Sequence, residues 1–288
     1  MTRQPLVARR AEALLGAAVV APAPVAGGDV ATSTRLRLSD GTTALMKTLP
    51  HAPADLFPTE AAGLRWLGAA TPAGGAHVPQ VLAADAECLI IRWVEPGKSS
   101  TDSAVALGRE LAATHAAGAA AYGAEADGYI ARLPLPNGPC DTWAEFYVAR
   151  RIVPYLRAAF DRGQATAEHV AAIDALLPRF PELVPEEPPA RLHGDLWNGN
   201  VVWGVDGRAW LVDPAAYGGH REMDLAMLAL FGLPHLPRML EAYTEVTPLV
   251  DGWPERLGLH QLFPLLVHAC MSGGGYAARA AEIARRYA

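Results

Sequence analysis

The alternation of apolar and polar residues predicts a chain that begins with strands and continues with helices. A helical spacing of apolar residues over 5–20 ends before Pro22 and Pro24, because proline cannot continue a helix. Strict alternation then predicts two strands, over 34–38 and 43–48, joined by a Ser-Asp-Gly-Thr turn. The first elements are therefore a helix and a β-hairpin.

The following elements extend this predicted sheet. Apolar spacing predicts a helix over 58–70, with Glu60 in its first turn. Two short apolar runs, over 78–83 and 88–94, predict further strands, and a Glu-Pro-Gly sequence interrupts the second run. We therefore expect an antiparallel sheet in the N-terminal part of the chain.

Helical patterns dominate beyond residue 94. One exception lies within 191–213, where two apolar segments flank Asp206-Gly207 and predict a small hairpin. Strands followed by helices indicate an α+β fold with two lobes, and we place an N-terminal antiparallel sheet lobe in 1–94 and a mostly helical C-terminal lobe in 95–288. The predicted helices of the second lobe are 101–119, 142–162, 165–180, 222–231, 236–245 and 275–287.

Composition and charge exclude several classes of protein. The chain is 51% hydrophobic and 19% charged, which is enough apolar material for a large core. Its net charge of -6 and the lack of a Lys/Arg cluster argue against nucleic-acid or membrane partners. Cys88, Cys140 and Cys270 show neither a metal-ligand spacing nor a disulfide pattern. We expect a cytoplasmic monomer and interpret the N-terminal stretch as a surface helix rather than a signal peptide.

The segment His-Gly-Asp-Leu-Trp-Asn-Gly-Asn over 193–200 carries the candidate chemistry, together with Asp213 beyond the predicted hairpin. Phosphoryl transfer needs a base that orients the acceptor hydroxyl and metal ions that neutralise the phosphate oxygens. Asp195 is the candidate catalytic base, while the side-chain oxygens of Asn200 and Asp213 are hard ligands suited to Mg²⁺. An isolated His-Gly-Asp could be a chance turn, but the ordered set argues against chance.

The same segment resembles the catalytic loop of kinases in the form found in aminoglycoside phosphotransferases and choline kinases. Its Asp-Leu-Trp sequence is similar to that of the fructosamine kinase (ketosamine 3-kinase) family. This resemblance implies a protein-kinase-like fold, ATP and Mg²⁺ as cofactors, and phosphorylation of a sugar hydroxyl of a small-molecule ketoamine or other glycated amine. It also rests on Asp213-Pro214-Ala215, Tyr217-Gly218 and the segment 221–227.

Three residues beside the catalytic loop are candidate substrate contacts. Trp197 offers a flat apolar face for a sugar, although it could equally pack in the core. Asn198 stands where the family usually has Ser, which leaves the exact sugar open, and Tyr217 is the third candidate. The alternatives are a kinase of the same fold for an aminoglycoside, choline or a thio-sugar, and a nucleotide-binding pseudoenzyme.

Four predicted features form the nucleotide side. Lys47 is placed like the kinase lysine that contacts the α- and β-phosphates, and Glu60 like its helix partner, unless they are an exposed strand-end lysine and a helix-dipole carboxylate. Gly27-Gly28 is a candidate turn over the phosphates. The backbone of Trp93-Val94-Glu95 is expected to contact the adenine edge where the lobes join.

Two further residues are expected to support the catalytic loop. Arg221 and Asp224 follow the candidate metal-binding aspartate, and we expect ion pairs or hydrogen bonds from both to the loop. His115 and His268 lie in apolar helical patterns, where a hydrogen-bonded core histidine is commoner than a ligand.

Overall fold

The computed structural model describes residues 6–26 and 31–288 of the chain. Its N-terminal part is a five-stranded antiparallel sheet in the order β1-β2-β3-β5-β4, with two helices packed against it. The strands are β1 (Val19–Val25), β2 (Thr32–Leu38), β3 (Thr43–Thr48), β4 (Val81–Ala84) and β5 (Cys88–Arg92), and the helices are α1 (Leu6–Leu15) and α2 (Leu56–Gly68).

The predicted helix over 5–20 is too long, because α1 ends at Leu15 and β1 follows from Val19. Pro22 and Pro24 lie inside β1 and pair with β2 opposite Leu36 and Thr34. Their positions are two residues apart, so both nitrogens face the same side of an edge strand, where no partner needs an N–H donor. The two prolines are therefore incompatible with a helix at these positions but compatible with the edge strand β1.

Helix α2 begins two residues earlier than predicted, which places Glu60 in its second turn. The helix buries Phe57, Ala61 and Leu64 at helical spacing against β5. Because Glu60 does not lie in the first turn, its position is not explained by the helix dipole.

The C-terminal part is mostly helical. The helices are α3 (Thr101–Ala116), α4 (Trp143–Phe146), α5 (Val153–Asp161), α6 (Ala167–Leu176), α7 (Phe180–Leu183), α8 (Glu222–Phe231), α9 (Leu236–Val246), α10 (Trp253–Ser272) and α11 (Tyr276–Arg285), with one π-helical turn (Tyr147–Ile152) between α4 and α5. Helix α3 packs along α9, and α10 packs against α5, α8 and α11.

Helix α10 is the long element that the apolar pattern did not predict. Most of its residues from Leu259 to Cys270 are buried, so the helix lacks the one-sided stripe by which a surface helix is recognised. Pro264 within the helix weakens the signal further.

Three two-stranded ladders lie among these helices. The predicted hairpin within 191–213 is confirmed as β9 and β10, whereas the other two ladders are too short to give a periodic signal. The ladder of β8 with β11 matters most, since it holds the two ends of the segment 193–216. The strands are β6 (Gly128–Ile130), β7 (Leu133–Leu135), β8 (Ala190–Leu192), β9 (Val201–Trp203), β10 (Ala209–Leu211) and β11 (Tyr217–Gly219).

The architecture confirms the predicted α+β fold with an antiparallel sheet lobe and a mostly helical lobe. The sheet ends at Arg92 and α3 begins at Thr101, and a division of the chain after residue 94 stays a prediction. Within the described ranges, no helix is long and apolar enough to span a membrane.

Candidate active site

A cavity of about 1090 Å³ lies where the sheet meets the helices. Five of the candidate catalytic, metal-binding and nucleotide-binding residues line it, in addition to two of the candidate substrate residues. The five come from strand β3, helix α2, the catalytic loop and the segment after β10. They are Lys47, Glu60, Asp195, Asn200 and Asp213.

Lys47 lies on β3 and is buried, with 7% of its surface exposed, so it is not an exposed strand-end lysine. Its Nζ lies 2.6 Å from Oε1 of Glu60 and 3.1 Å from Oδ1 of Asp213. Burial lowers the pKa of Lys47, but the two carboxylates outweigh burial and raise it above its ordinary value. Lys47 is therefore a fixed positive charge in the cavity wall.

Gly194 allows the catalytic loop to lie directly against the segment that follows β10. Its φ is +81°, and a Cβ atom there would lie 2.1 Å from the carbonyl oxygen of Ala215. The backbone N–H of Ala215 also donates to the carbonyl of His193 at 3.0 Å. A side chain at 194 would force these two segments apart.

His193 connects the two segments through its ring. Nε2 donates to the carbonyl of Val212 at 2.9 Å, and Nδ1 accepts from the backbone N–H of Asp195 at 3.3 Å. One nitrogen donates and the other accepts, so the ring is neutral, and burial lowers its pKa accordingly. The ring thus fixes the spacing between Asp195 and the residue preceding Asp213.

The amide of Asn200 is oriented by the loop. Its Nδ2 donates to the backbone oxygen of Asp195 at 2.8 Å and to Oδ2 of Asp195 at 3.1 Å. Because acceptors surround the nitrogen, the side-chain oxygen of Asn200 faces the other way. Asp213, which has a left-handed φ of +54°, presents a partly exposed carboxylate to the same cavity. An amide oxygen and a carboxylate form a donor set that fits Mg²⁺.

Asp224 on α8 supports the catalytic loop, as predicted. Its Oδ2 accepts from the backbone N–H of His193 at 2.8 Å, and its Oδ1 accepts from that of Gly194 at 3.0 Å. His115 lies 3.2 Å from the same carboxylate and 2.8 Å from the hydroxyl of Tyr243, so it is the hydrogen-bonded core histidine that was expected. Burial raises the pKa of Asp224, but hydrogen bonds and neighbouring histidines outweigh it, and the pKa is lowered overall.

The prediction for Arg221 is wrong. Its guanidinium pairs with Glu187 at 2.6 and 2.7 Å and donates to the carbonyls of Thr247 and Pro248. Arg221 therefore anchors the connector before β8 to the end of α9. The Pro/Glu-rich connector brings Glu187 to the residues just before α8, and the local sequence does not indicate this contact.

The three candidate substrate residues differ in position. Trp197 is half-buried, lines the cavity and packs edge-on against Phe231 at 6.2 Å between ring centroids. Tyr217, on β11, also lines the cavity but is otherwise buried. Asn198 is exposed and is not among the cavity-lining residues described.

The predicted nucleotide contacts at the lobe junction lie outside this cavity. Trp93 donates through Nε1 to Oε2 of Glu95 at 2.8 Å, and Arg35 pairs with the same carboxylate at 2.8 Å. Neither these residues nor Val94 are among the cavity-lining residues described. Gly27-Gly28 lies outside the described residues.

The rest of the cavity wall consists mostly of residues that the sequence pattern did not single out. It is mostly apolar, with small side chains along one segment, and its few polar groups are spread over α2, β6 and the loop before α4. It includes Thr59, Trp66, most of the segment 119–126, Tyr129, Asn137, Val267 and Met271, together with His268, which the sequence had marked only as a core histidine. None of these belongs to a local motif, so no spacing in the sequence could have identified them.

Known proteins match the whole of this architecture. A family model described as fructosamine kinase matches residues 5–288. A curated relative from Thermus thermophilus, named as a ketoamine kinase, is 35% identical over 254 residues, which are 88% of this chain and 88% of the relative.

Solved structures agree with this match. One from Thermobifida fusca, named as a fructosamine-3-kinase, is 48% identical, has a TM-score of 0.91 and is covered over 97% of each chain. A macrolide 2'-phosphotransferase from Brachybacterium faecium shares the fold at a TM-score of 0.60 and 16% identity, over 98% of this chain and 96% of its own. The fold is therefore protein-kinase-like, and the chain belongs to the fructosamine kinase family.

Proposed function

We propose that this protein is an ATP-dependent kinase that phosphorylates a sugar hydroxyl of a ketoamine. The observation that carries the proposal is the convergence of Asp195, Asn200, Asp213 and Lys47 on one cavity. A base, two oxygen ligands and a fixed cation are the groups that phosphoryl transfer requires. The family match supports the ketoamine as acceptor and ATP as donor.

In this proposal, Asp195 accepts the proton of the acceptor hydroxyl. The hydroxyl oxygen forms a bond to the γ-phosphorus while the bond from that phosphorus to the β,γ-bridging oxygen breaks, and ADP leaves with the electron pair. The hydrogen bond from Nδ2 of Asn200 at 3.1 Å holds the Asp195 carboxylate in one orientation. Such positioning is a large part of the rate acceleration in this type of reaction.

Asn200 and Asp213 are the residues that would hold Mg²⁺, which when bound neutralises charge on the phosphate oxygens. Lys47 binds phosphate oxygens in this scheme, and Glu60 keeps its ammonium directed into the cavity at 2.6 Å. Backbone groups at 27–28 and 93–95 stay the proposed contacts for phosphates and adenine.

In this proposal the acceptor lies against the rest of the cavity wall, which we call the acceptor wall. Trp197 and Trp66 give flat apolar surfaces, and the segment 119–126 contributes mainly alanine and glycine beside Glu125, so its small side chains leave room for an amine substituent.

The cellular setting is also proposed. Cys88, Cys140 and Cys270 are free thiols, which suits a reducing cytoplasm. We propose a monomer, which light scattering of the purified protein would test.

The deciding experiment is phosphate transfer from ATP to fructosyl-lysine, ribulosyl-lysine and free fructosamine, beside choline and an aminoglycoside. The Asp195→Asn variant is expected to lose turnover while it still binds nucleotide. Asp174→Asn makes the same change of charge on an exposed face of α6 and should retain full activity.

Transfer to ketoamines alone, and only with Asp195 present, supports the proposal. Transfer only to choline or the aminoglycoside would be consistent with the proposed mechanism but would contradict the ketoamine as the acceptor. Full activity of Asp195→Asn would show that Asp195 is not the catalytic base. Nucleotide binding without transfer to any acceptor would favour a regulatory nucleotide-binding module.

A further inference from the structure

Arg151 is a buried cation directly behind the acceptor wall. Its side chain is fully buried, and the guanidinium carbon lies 4.0 Å from the ring centroid of Tyr217, 4.5 Å from that of Phe146 and 5.4 Å from that of Phe263. Among the residues that the structure describes, no carboxylate lies within ion-pair distance of it. A buried charge without a counter-ion is costly, so its neutral partners are important.

The polar partners of Arg151 are few and short. Nη1 donates to the carbonyl of Pro136 at 2.6 Å, and Nη2 donates to Oδ1 of Asn137 at 2.6 Å. Nη1 also donates to the carbonyl of Arg150 at 3.3 Å, so aromatic faces and three neutral oxygens replace a carboxylate. The position of Asn137, with 2% of its surface exposed, depends directly on this cation.

This contact fixes the orientation of the Asn137 amide. A guanidinium has only N–H donors, so Oδ1 must face Arg151 and Nδ2 must face away from it. Within the described chain, Nδ2 has one acceptor in range, the carbonyl of Ala126 at 3.3 Å. An amide nitrogen has two N–H groups, which leaves one for another acceptor.

The backbone of Asn137 is held as firmly as its side chain. Its N–H donates to Oδ1 of Asp127 at 2.7 Å, and its carbonyl accepts from the N–H of Ala124 at 2.8 Å. Asn137 also lines the cavity that contains Asp195. A rigid, buried amide with a remaining donor therefore borders the proposed acceptor site.

The position of Asn137 relative to the catalytic loop decides what it can contact. Backbone hydrogen bonds run from Asn137 to Ala124, from Gly123 to Gly218, and from β11 to β8, which leads into the loop. The ring of Tyr217 and the guanidinium of Arg151 also separate Asn137 from the catalytic loop: a Cβ at Gly194 would lie 2.9 Å from the Tyr217 ring, and that ring lies 4.0 Å from the guanidinium that Asn137 binds. We therefore expect Asn137 to contact a part of the acceptor that does not react.

We propose that Nδ2 of Asn137 donates a hydrogen bond to a non-reacting oxygen of the acceptor sugar, and that Arg151 is the positioning residue that aims this amide. The inference rests on the proposed function and adds a specificity-determining residue on the acceptor side. A buried donor left unpaired penalises acceptors that lack the matching oxygen, which is how such a site selects a hydroxyl pattern.

The variant Asn137→Asp separates recognition from structural support. Aspartate keeps the oxygen that accepts from Arg151 and supplies the missing counter-charge, but it has no N–H to give. The expected result is a rise of about tenfold in the acceptor KM, with kcat and the ATP KM within about twofold of the wild type. The melting temperature should change little, because the new ion pair with Arg151 offsets the loss of the hydrogen bond to the carbonyl of Ala126. Gln80→Glu makes the same chemical change at an exposed position and serves as the control.

A second variant, Asn137→Ala, removes both the donor and the partner of Arg151. It should raise the acceptor KM to a similar extent and also lower the melting temperature. If both variants keep the wild-type acceptor KM, Asn137 serves only to satisfy Arg151, and the inference is overturned. A parallel rise in the ATP KM would also overturn the inference, because the substitution would then disturb the whole site and not acceptor recognition alone.

The outcome is distinguishable from failure of the proposed function. If the wild type phosphorylates choline or the aminoglycoside and no ketoamine, the proposed acceptor fails, and the same comparison of KM values with that acceptor still decides the role of Asn137. Absence of transfer to every acceptor overturns both proposals.

Discussion

Oδ1 of Asp213 lies 3.1 Å from Nζ of Lys47, and this contact joins strand β3 of the sheet lobe to the segment after β10 in the helical lobe. Glu60 holds the same ammonium at 2.6 Å from the other side. The three charges therefore depend on one another, and the loss of the central cation leaves two carboxylates facing each other.

Replacement of Lys47 is expected to destabilise the protein more than replacement of Glu60. In Lys47→Met the largely buried Glu60 carboxylate loses its partner, which costs up to about 3–5 kcal/mol for a fully buried pair. In Glu60→Gln the ammonium keeps Asp213, so the loss should be about half as large. Urea unfolding of both variants tests this order.

The same pair of variants should differ in nucleotide binding. Lys47→Met should bind ATP much more weakly, whereas Glu60→Gln should bind it with a moderate loss because the cation remains. Equal unfolding free energies and equal ATP affinities in the two variants would contradict the central role of Lys47. Lys98→Met, at an exposed position, is the matched control.

A methyl group at Gly194 is expected to reduce turnover strongly. Gly194→Ala combines an unfavourable φ of +81° with a contact of 2.1 Å to the carbonyl oxygen of Ala215, so the segment that carries Asp213 must move. A displacement of about 1 Å in a catalytic group can reduce the rate about 100-fold. The measurement is kcat beside the unfolding free energy.

Gly163→Ala is the control for this effect. Gly163 has a similar φ of +69°, but no described atom lies within 4 Å of the position its Cβ would occupy. It should lose about 1 kcal/mol of stability and keep its kcat. If both variants lose turnover equally, the close approach at Gly194 is not the cause.

Asp224→Asn is expected to disorder the catalytic loop. Both oxygens of Asp224 accept backbone N–H groups, at 2.8 Å from His193 and 3.0 Å from Gly194, and an amide can supply only one of them. Its NH₂ group would face an N–H donor, so a loss of about 1–3 kcal/mol and a clear fall in kcat should follow. Asp174→Asn is again the matched control, and unchanged kcat in Asp224→Asn would show that the loop does not need this support.

The sequence predicted the two-lobed fold and the supporting role of Asp224 because both depend on local patterns. Alternating apolar residues marked β2 and β3, and the spacing around Asp195 marked the catalytic loop. Helix α10 was missed because it is buried on most sides, and β1 was missed because proline was interpreted only as a helix terminator.

The acceptor wall could not be predicted for a different reason. Asn137 and Arg151 are candidate site residues only because they contact each other and because Arg151 packs on Tyr217, which is far away in the chain. No periodicity or motif records such a contact. The same limit applies to Arg221, whose partner Glu187 lies in a connector without a regular pattern.

The free energy of unfolding is expected to fall as the pH drops below neutrality, because His220 is buried in its neutral form. It is fully buried, Nε2 donates to the carbonyl of Pro185 at 3.2 Å, and Nδ1 accepts from the N–H of Glu222 at 3.2 Å, so the ring is neutral. Burial, and then the nearby His260, lower its pKa from 6.5 to about 3, while Arg221 acts in the same direction and Glu222 opposes it.

Because the folded pKa of His220 is below the unfolded one, the unfolded chain binds the extra proton between about pH 6.5 and 3. The free energy of unfolding should therefore fall by up to about 1.4 kcal/mol for each pH unit in that window. Glu222, with its pKa lowered to about 2, adds to the loss only below about pH 4.5. Between pH 7 and 5 the lowered pKa values of His193 and His77 act in the same direction as that of His220, and the pKa of Glu110, raised to about 7 by burial, acts in the opposite direction. The contribution of His220 is therefore the difference between wild type and variant in urea unfolding at pH 7, 6 and 5. His220→Asn should flatten this dependence whatever its absolute stability, and His51→Asn, at an exposed site, should not. Parallel pH curves for wild type and His220→Asn would assign the acid sensitivity to other groups.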